Sequence, residues 1–157
     1  GAEPTGILNT TGIGSNTYSS GGNPDYDDIL TLEADVADAN ADEANCAYFT
    51  TPTMRKTLKG IFTNSTYGEI PLWLSGDEPG VGKMNGYRAF ATKQVTSGYV
   101  VFGDFSQIII GEWGVLELMA DPYGSNFAKG MVSVRCIYDV DVAIRHAGAF
   151  SELHEAS

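Results

Sequence analysis

The chain has 157 residues, of which 43% are hydrophobic, enough for one globular domain or two small ones. Twenty acidic residues against nine lysines and arginines give a formal net charge of −11. Because there is no basic run, we expect no sequence-specific binding of nucleic acid. The absence of an apolar run of about 18 residues also excludes a transmembrane helix and, with it, a membrane partner.

The first part of the chain predicts an irregular segment followed by a helix. Residues 1–23 are rich in Gly, Thr, Ser and Asn and leave room for one short strand. Residues 25–43 carry eight acidic side chains and no basic one. Their apolar positions recur at helical spacing: Ile29, Leu32 and Val36. We therefore predict an amphipathic helix with an anionic outer face, capped by Asn23, with Pro24 as its first residue.

A short strand at 46–49 and a second helix come next. Thr51 and Pro52 form a typical helix start. The inward positions of this helix are Met54, Leu58 and Ile61. Residues 63–86 follow as a loop, and a structureless loop of that length is either functional or mobile. Short strands are then expected at 87–92, 99–103, 107–110 and 115–120.

The last strand, at 131–145, is unusually long. Its alternate residues are apolar and predict one buried face: Val132, Val134, Cys136, Tyr138, Val140, Val142 and Ile144. At about 3.3 Å per residue it would span about 45–50 Å. A compact chain of this size is only about 40 Å across. Either the strand bends at a bulge or the body is elongated. Residues 146–157 predict an exposed tail.

One segment comes close to a phosphate-binding loop. Residues 76–84 contain a Gly-Lys pair, but Asp77 stands where the first glycine should be and Met84 replaces the Ser or Thr that holds Mg²⁺. Asn85 and Gly86 predict a turn where a helix should begin. Nucleotide binding by this loop is kept as an alternative function.

The other reactive residue types form no recognisable site. Cys46 and Cys136 lie in mostly apolar surroundings and indicate buried free thiols in a reducing compartment. His146 and His154 lack metal-ligand spacing to each other or to the cysteines. We therefore expect no catalytic, cofactor or metal site. A soluble binding module is a further alternative.

Several segments, taken in order, resemble the C-terminal part of a tailed-phage major capsid protein of the HK97-like family. The segments are PTGILN at 4–9, FTTPT at 49–53, LW at 72–73, MNGY at 84–87, GDFS at 103–106 and the long strand at 130–145. The N-terminal arm, extended loop and spine helix that precede these segments in the family are not in this sequence. The resemblance therefore implies a C-terminal fragment.

The resemblance implies an α+β fold of the HK97-like kind. Residues 24–102 and 145–157 would form the axial domain, and residues 1–23 and 103–144 part of the peripheral domain. The long C-terminal strand would run toward neighbouring subunits. The loop at 63–86 would lie near a symmetry axis.

The function implied is that of a structural subunit, not an enzyme and without cofactors. It would self-assemble as pentamers and hexamers into the DNA-containing shell of an icosahedral phage or prophage head. Assembly would take place in the bacterial host cytoplasm, and the protein would be found in the virion. The expected intersubunit contacts are Trp73, Lys83, Asn85, Tyr123 and Phe127. Trp73 and Trp113 also fit a role as packing anchors. An encapsulin-like compartment shell of the same fold is a neighbouring alternative.

Overall fold

The computed structural model of the chain describes residues 5–19, 21–41, 45–63 and 70–156. Predictions that involve 1–4, 42–43 or 64–69 therefore lie partly outside the described residues. The helices are α1 Tyr26–Asp38 and α2 Pro52–Lys59. The strands are β1 Gly14–Tyr18, β2 Cys46–Thr50, β3 Leu74–Ser75, β4 Val81–Met84, β5 Tyr87–Ala91, β6 Val100–Asp104, β7 Ile108–Asp121, β8 Ser133–Ile144 and β9 Phe150–Glu155.

Helix α1 begins at Tyr26 with Asp25 as its N-cap. The Asp25 carboxylate accepts a hydrogen bond from the Asp28 backbone N–H at 3.0 Å, and the Asp25 N–H donates to the Asp28 carboxylate at 2.9 Å. This reciprocal pair satisfies two backbone donors at once. The predicted cap at Asn23, with Pro24 as the first helical residue, is therefore wrong. The predicted inward residues Ile29, Leu32 and Val36 are buried.

Seven strands form one mixed sheet in the order β1-β9-β6-β2-β5-β4-β3. Strands β1 and β9 run parallel, as do β2 and β5, and the other neighbours are antiparallel. Helix α2 lies in the connection between the parallel neighbours β2 and β5. Thr51 caps α2 by accepting from the Met54 N–H at 3.2 Å, and Pro52 is its first residue, as predicted.

Both helices cover the same face of this sheet. Tyr48 of β2 donates a hydrogen bond to Glu33 of α1, and Met54 and Leu58 of α2 join the same buried cluster as Tyr48. The opposite face carries no helix among the described residues. We call the seven-stranded sheet and its two helices the body.

The predicted loop at 63–86 has regular structure over much of its described part. Strands β3 and β4 form a hairpin that continues into β5 and adds three strands to the sheet edge. Leu72 and Trp73 are buried in the core. The prediction of a structureless loop is wrong: Pro79 and Gly80 turn the chain between β3 and β4, and Gly86 helps to turn it between β4 and β5.

Strands β7 and β8 form a separate antiparallel ribbon, which we call the arm (residues 108–144). The two short strands predicted at 107–110 and 115–120 are one strand of 14 residues, interrupted by an irregularity between Trp113 and Glu117. Strand β8 is continuous over 12 residues, so the elongated alternative was right. The face predicted to be buried is exposed along most of its length, and so is Cys136.

The predicted exposed tail is wrong. Strand β9 lies inside the sheet between β1 and β6, and Phe150 and Leu153 are fully buried. The polar residues that made this segment look exposed have partners: Ser151 donates to Asp35 at 2.7 Å, and Glu152 accepts from Ser15 at 3.0 Å. Such hydrogen bonds make the burial of polar side chains tolerable.

Candidate assembly surfaces

The arm is fixed to the body by a hydrogen-bonded chain of three side chains. Asp104, the last residue of β6, accepts from Gln107 at 2.8 Å and from the hydroxyl of Ser106 at 3.0 Å. Gln107 in turn accepts two bonds from the Arg145 guanidinium, at 2.8 and 3.0 Å. The Arg145 N–H also donates to the Gln107 carbonyl at 2.9 Å. Both strands of the arm are thus held at the same edge of the body.

The ionisation of Asp104 follows from these contacts. Burial by itself raises the pKa of the Asp104 carboxyl. The hydrogen bonds from Gln107 and Ser106 and the positive charge of Arg145 act in the opposite direction. The net result is a pKa below the ordinary value of an aspartate, so the carboxylate accepts these bonds in its charged form.

One side of the arm is apolar over almost its whole length. Residues directly opposite each other on β7 and β8 lie on the same side of the ribbon. The pairs on this side are Ile108 with Ile144, Ile110 with Val142, Glu112 with Val140, Leu118 with Cys136 and Ala120 with Val134. Glu112 is the polar exception. Its hydrogen bond with Tyr138 raises the pKa of that phenol. We call this side the apolar side of the arm.

The apolar side is open to solvent in the described chain. Ile110, Leu118 and Val134 are 63%, 64% and 66% exposed. Of nineteen exposed large hydrophobic side chains among the described residues, fifteen lie on the arm. An isolated two-stranded ribbon is only marginally stable in water, and a contiguous apolar surface of this kind marks an interaction site. The arm therefore presents a surface suited to packing against other polypeptide.

The opposite side of the arm mixes polar and charged residues with apolar ones such as Ile109, Met119 and Ile137. Its residues include Glu117, Asp121, Arg135, Asp139 and Asp141. Trp113 also lies on this side and is exposed, so its predicted role as a core packing anchor is wrong. The arm thus has one almost wholly apolar side and one side of mixed character.

Two predicted contact residues lie at the tip of the arm. Tyr123 and Phe127 are largely exposed, and their ring centroids are 6.4 Å apart. The chain turns there through a short 3₁₀ segment, Phe127–Lys129, which ends at Gly130 with φ of 68°. Both rings are placed where a neighbouring subunit could reach them, and their role as contacts stays a prediction.

Lys83 and Asn85 lie together on the β4–β5 hairpin, far along the chain from the arm tip. Asn85 and Gly86 form its two-residue turn, both with positive φ, as an Asn-Gly hairpin turn requires. The Asn85 amide donates to Glu33 at 2.7 Å, which ties the turn to α1. Glu33 also accepts from the buried Tyr48. That burial, the hydrogen bond and the Glu33 charge raise the pKa of the Tyr48 phenol.

Trp73 is placed differently from the other four predicted contacts. Its side chain is only 2% exposed and belongs to the core of the body. The indole lies against Gly82, where any Cβ would overlap its Nε1 atom. This placement fits the packing-anchor interpretation, and we do not include Trp73 in the surfaces proposed below.

The geometry around Lys83 contradicts the nucleotide-binding alternative. Lys83 lies in the antiparallel strand β4, opposite Arg88 of β5. A phosphate-binding loop requires a strand, a glycine-rich turn and then a helix whose first N–H groups hold the phosphates. The residues after Lys83 make a β-hairpin turn instead.

The described residues contain no group of three or more His, Cys, Asp and Glu side chains placed to hold a metal ion. Within the same residues, neither helix is long and apolar enough to cross a membrane.

Sequence reasoning missed most of the apolar side of the arm because it divided β7. The signal was weak, because Ile109 separates Ile108 from Ile110 and Met119 separates Leu118 from Ala120, so that apolar and polar positions do not alternate cleanly. Gly111 and Gly114 interrupt the pattern further, and Gly114 has φ of 80° within the irregular part of the strand. A glycine inside a strand pattern indicates a bulge as well as a turn.

Comparison with known proteins agrees with this architecture. A model of the Phage capsid family matches residues 1–153. The major capsid protein of Halomonas phage phiHAP-1 is 34% identical over 149 residues, which are 95% of this chain and 23% of that protein. The chain therefore spans under a quarter of the length of this curated relative.

Solved structures share the fold at low sequence identity. The capsid of a native GTA particle matches with a TM-score of 0.67 and 19% identity, over 98% of this chain and 56% of that one. The holo-SrpI encapsulin complex from Synechococcus elongatus PCC 7942 matches with a TM-score of 0.65 and 18% identity, over 95% and 55%. The predicted α+β fold of the HK97-like kind is confirmed. The match to the family model over nearly the whole sequence shows that this chain belongs to the Phage capsid family.

Proposed function

We propose that this chain is part of a structural subunit that self-assembles into the shell of a phage or prophage head. The observation that carries the proposal is the arm, whose apolar side is exposed over most of its length in the described chain. A stable soluble monomer rarely exposes a contiguous apolar surface of this size. Membership of the Phage capsid family and the name of the phiHAP-1 relative support the same function.

We assign the body to the axial domain and the arm to the peripheral domain of the subunit. Strand β1 pairs with β9 in the seven-stranded sheet, so residues 14–18 go with the body in this assignment. Lys83 and Asn85 would then contact neighbours near a symmetry axis, and Tyr123 and Phe127 would contact them at the far end of the arm.

In the proposed assembly, subunits gather as pentamers and hexamers and the closed shell encloses DNA. Modest contacts repeated under closed symmetry add up to a stable container. The net charge of −11 suits a wall that does not hold the packaged DNA tightly. We propose a virion location, assembly in the host cytoplasm, and neither enzymatic activity nor a membrane partner.

Electron microscopy tests this function directly. The protein, expressed from its complete coding sequence, should form closed particles of uniform diameter built from rings of five and six subunits. Replacing Leu118 and Val134 with aspartate should prevent particle formation, because two charges would then lie in the proposed apolar contact. Met119→Asp, on the opposite side of the arm and directly across from Arg135, is the control and should assemble. Only soluble monomers from the unsubstituted protein would refute the proposal.

A compartment shell that encloses protein cargo is the second candidate, favoured by the encapsulin of similar fold. The contents of purified particles separate the two. DNA protected from nuclease supports a phage head, and a protein cargo with no nucleic acid supports a compartment.

A further inference from the structure

Part of the body sheet has an open face. Helices α1 and α2 cover the side that bears Tyr48, whereas Phe49 and Phe90 point to the other side because side chains alternate along a strand. These two rings stack at 4.9 Å and remain partly exposed. They line a shallow cleft of about 650 Å³ together with Arg88 and Phe105. Leu74, at the edge of the same face, is 43% exposed.

Two cations lie side by side on this open face. Lys83 of β4 and Arg88 of β5 are direct partners in the hairpin register, and both are exposed. Like charges directly opposite each other destabilise a hairpin. Neither cation lies within ion-pair distance of a carboxylate among the residues that the structure describes. The Arg88 guanidinium instead stacks over Phe90 at 5.1 Å. The surface is therefore cationic and aromatic, without its own counter-charge, in a chain that has more than twice as many acids as bases.

The outer face of α1 has the complementary properties. Asp27 and Asp38 are both exposed and are three helical turns apart, which places them on the same face with Leu30 and Ala34 between them. Neither carboxylate has an ion-pair partner in the described part of the chain. This face thus carries Leu30, Thr31 and Ala34 with an acidic group at each end.

These two surfaces cannot meet within one chain because they lie on opposite sides of the same sheet. Arg88 and Lys83 are in register with Ala47, whose neighbour Tyr48 points the other way and contacts α1. We infer that the cationic face of β4 and β5 binds the outer face of α1 of a second copy of this chain, head to tail around a ring. Because different patches meet, such a contact repeats from copy to copy, and it forms a closed ring when the rotation between neighbours is a whole fraction of a turn. The inference rests on the proposed function and specifies one contact of the ring.

Paired charge reversals test the contact in the protein expressed from its complete coding sequence. We expect the double variant K83E/R88E and the double variant D27K/D38K each to reduce the yield of rings and particles about tenfold or more, because attraction becomes repulsion. The variant with all four substitutions should restore assembly, since the two surfaces are again complementary. Its net charge equals that of the unsubstituted protein.

A matched control separates this contact from a general effect of charge. K56E/K93E makes the same change in net charge at two other exposed lysines and should assemble normally. All variants should keep their circular dichroism spectra, because the substituted side chains are exposed. The neutral variant K83Q/R88Q should show a smaller loss than K83E/R88E.

Two results would overturn the inference: normal assembly of either double charge reversal, or a fourfold variant as defective as its halves. If the unsubstituted protein itself formed no particles, the proposed function would fail before this contact came into question.

Discussion

Gly82 shows how a single residue decides where a large side chain can pack. A Cβ at this position would overlap Nε1 of Trp73 and lie 2.5 Å from the Leu74 carbonyl oxygen. The indole is the largest fully buried side chain of the body, so it has no alternative space. The β3–β4 hairpin can cover it only because residue 82 has no side chain.

We expect Gly82→Ala to lower the free energy of unfolding by about 1–3 kcal/mol, the usual cost of overpacking a filled core. Urea unfolding followed by tryptophan fluorescence measures this change. Gly6→Ala is the control, because nothing lies within 4 Å of the added methyl group and the backbone there is extended, with φ of −71°. An unchanged stability of Gly82→Ala would contradict the packing described for Trp73.

The lowered pKa of Asp104 makes the stability of the folded chain depend on pH. The pKa of the Asp104 carboxyl is lower in the folded chain than in the unfolded chain. Its contribution to stability is therefore fully present above the ordinary aspartate pKa of about 3.9. That contribution is lost as the pH falls through the lower pKa of the folded chain. Asp104→Asn removes this contribution at every pH. We therefore expect the difference in unfolding free energy between the two proteins to be larger at about pH 7 than at about pH 3. A difference independent of pH would show that Asp104 does not act through its charge.

Among the elements, strand β9 and the arm show what the sequence could and could not predict. The helices, β2, β5 and β6 follow from local patterns because each has its own apolar period, although the predicted start of α1 lies two residues too early. Strand β9 could not be recognised because Ser151 and Glu152 are polar residues whose burial depends on Asp35 and Ser15, far away in the chain. The predicted burial of one face of β8 is wrong for a related reason. Alternating apolar residues indicate that one face of a strand is suited to burial, but they do not show that the packing partner lies within the described chain.

The arm also places a useful chemical probe on its apolar side. Cys136 is exposed opposite Leu118, whereas Cys46 is buried in the body. In the unassembled 157-residue chain, Cys136 should react quickly with a thiol reagent and Cys46 only on unfolding. In assembled particles we expect labelling of Cys136 to slow by about tenfold or more, because the apolar side is covered.

Cys46→Ala and Cys136→Ser variants assign the two reactions to their residues. If Cys136 were labelled equally fast in particles and in the separate chain, the apolar side of the arm would not be an assembly contact.

At the scale of the whole molecule, the body and the arm are joined through residues 104–107 and 145. The Arg145 N–H donates to the Gln107 carbonyl at 2.9 Å, and beyond this pair β7 and β8 form a sheet of their own. No arm residue belongs to the main buried cluster of the described chain. The body therefore has the contacts it needs to fold without the arm.

We predict that residues 108–144 can be replaced by Asn-Gly without unfolding the body. Gln107 and Arg145 then become the outer residues of a two-residue hairpin turn, whose closing bond is the one already present. The shortened protein should unfold cooperatively within a few kcal/mol of the original stability, measured by urea titration, and should form no particles. Loss of cooperative unfolding would mean that the arm supports the body. Particle formation would mean that the arm is dispensable for the shell.

The place of β9 inside the sheet has a consequence for biosynthesis. Strands β1 and β6 do not touch each other, and β9 fills the gap between them. The ribosome must therefore translate the whole apolar arm before it reaches the segment that completes the sheet. During that interval the nascent chain exposes both the unpaired edges of β1 and β6 and the hydrophobic side chains of the arm. Exposed strand edges and hydrophobic surface make incompletely folded proteins prone to aggregation. Chaperone demand should accordingly peak late in translation and drop once residues 150–155 have emerged.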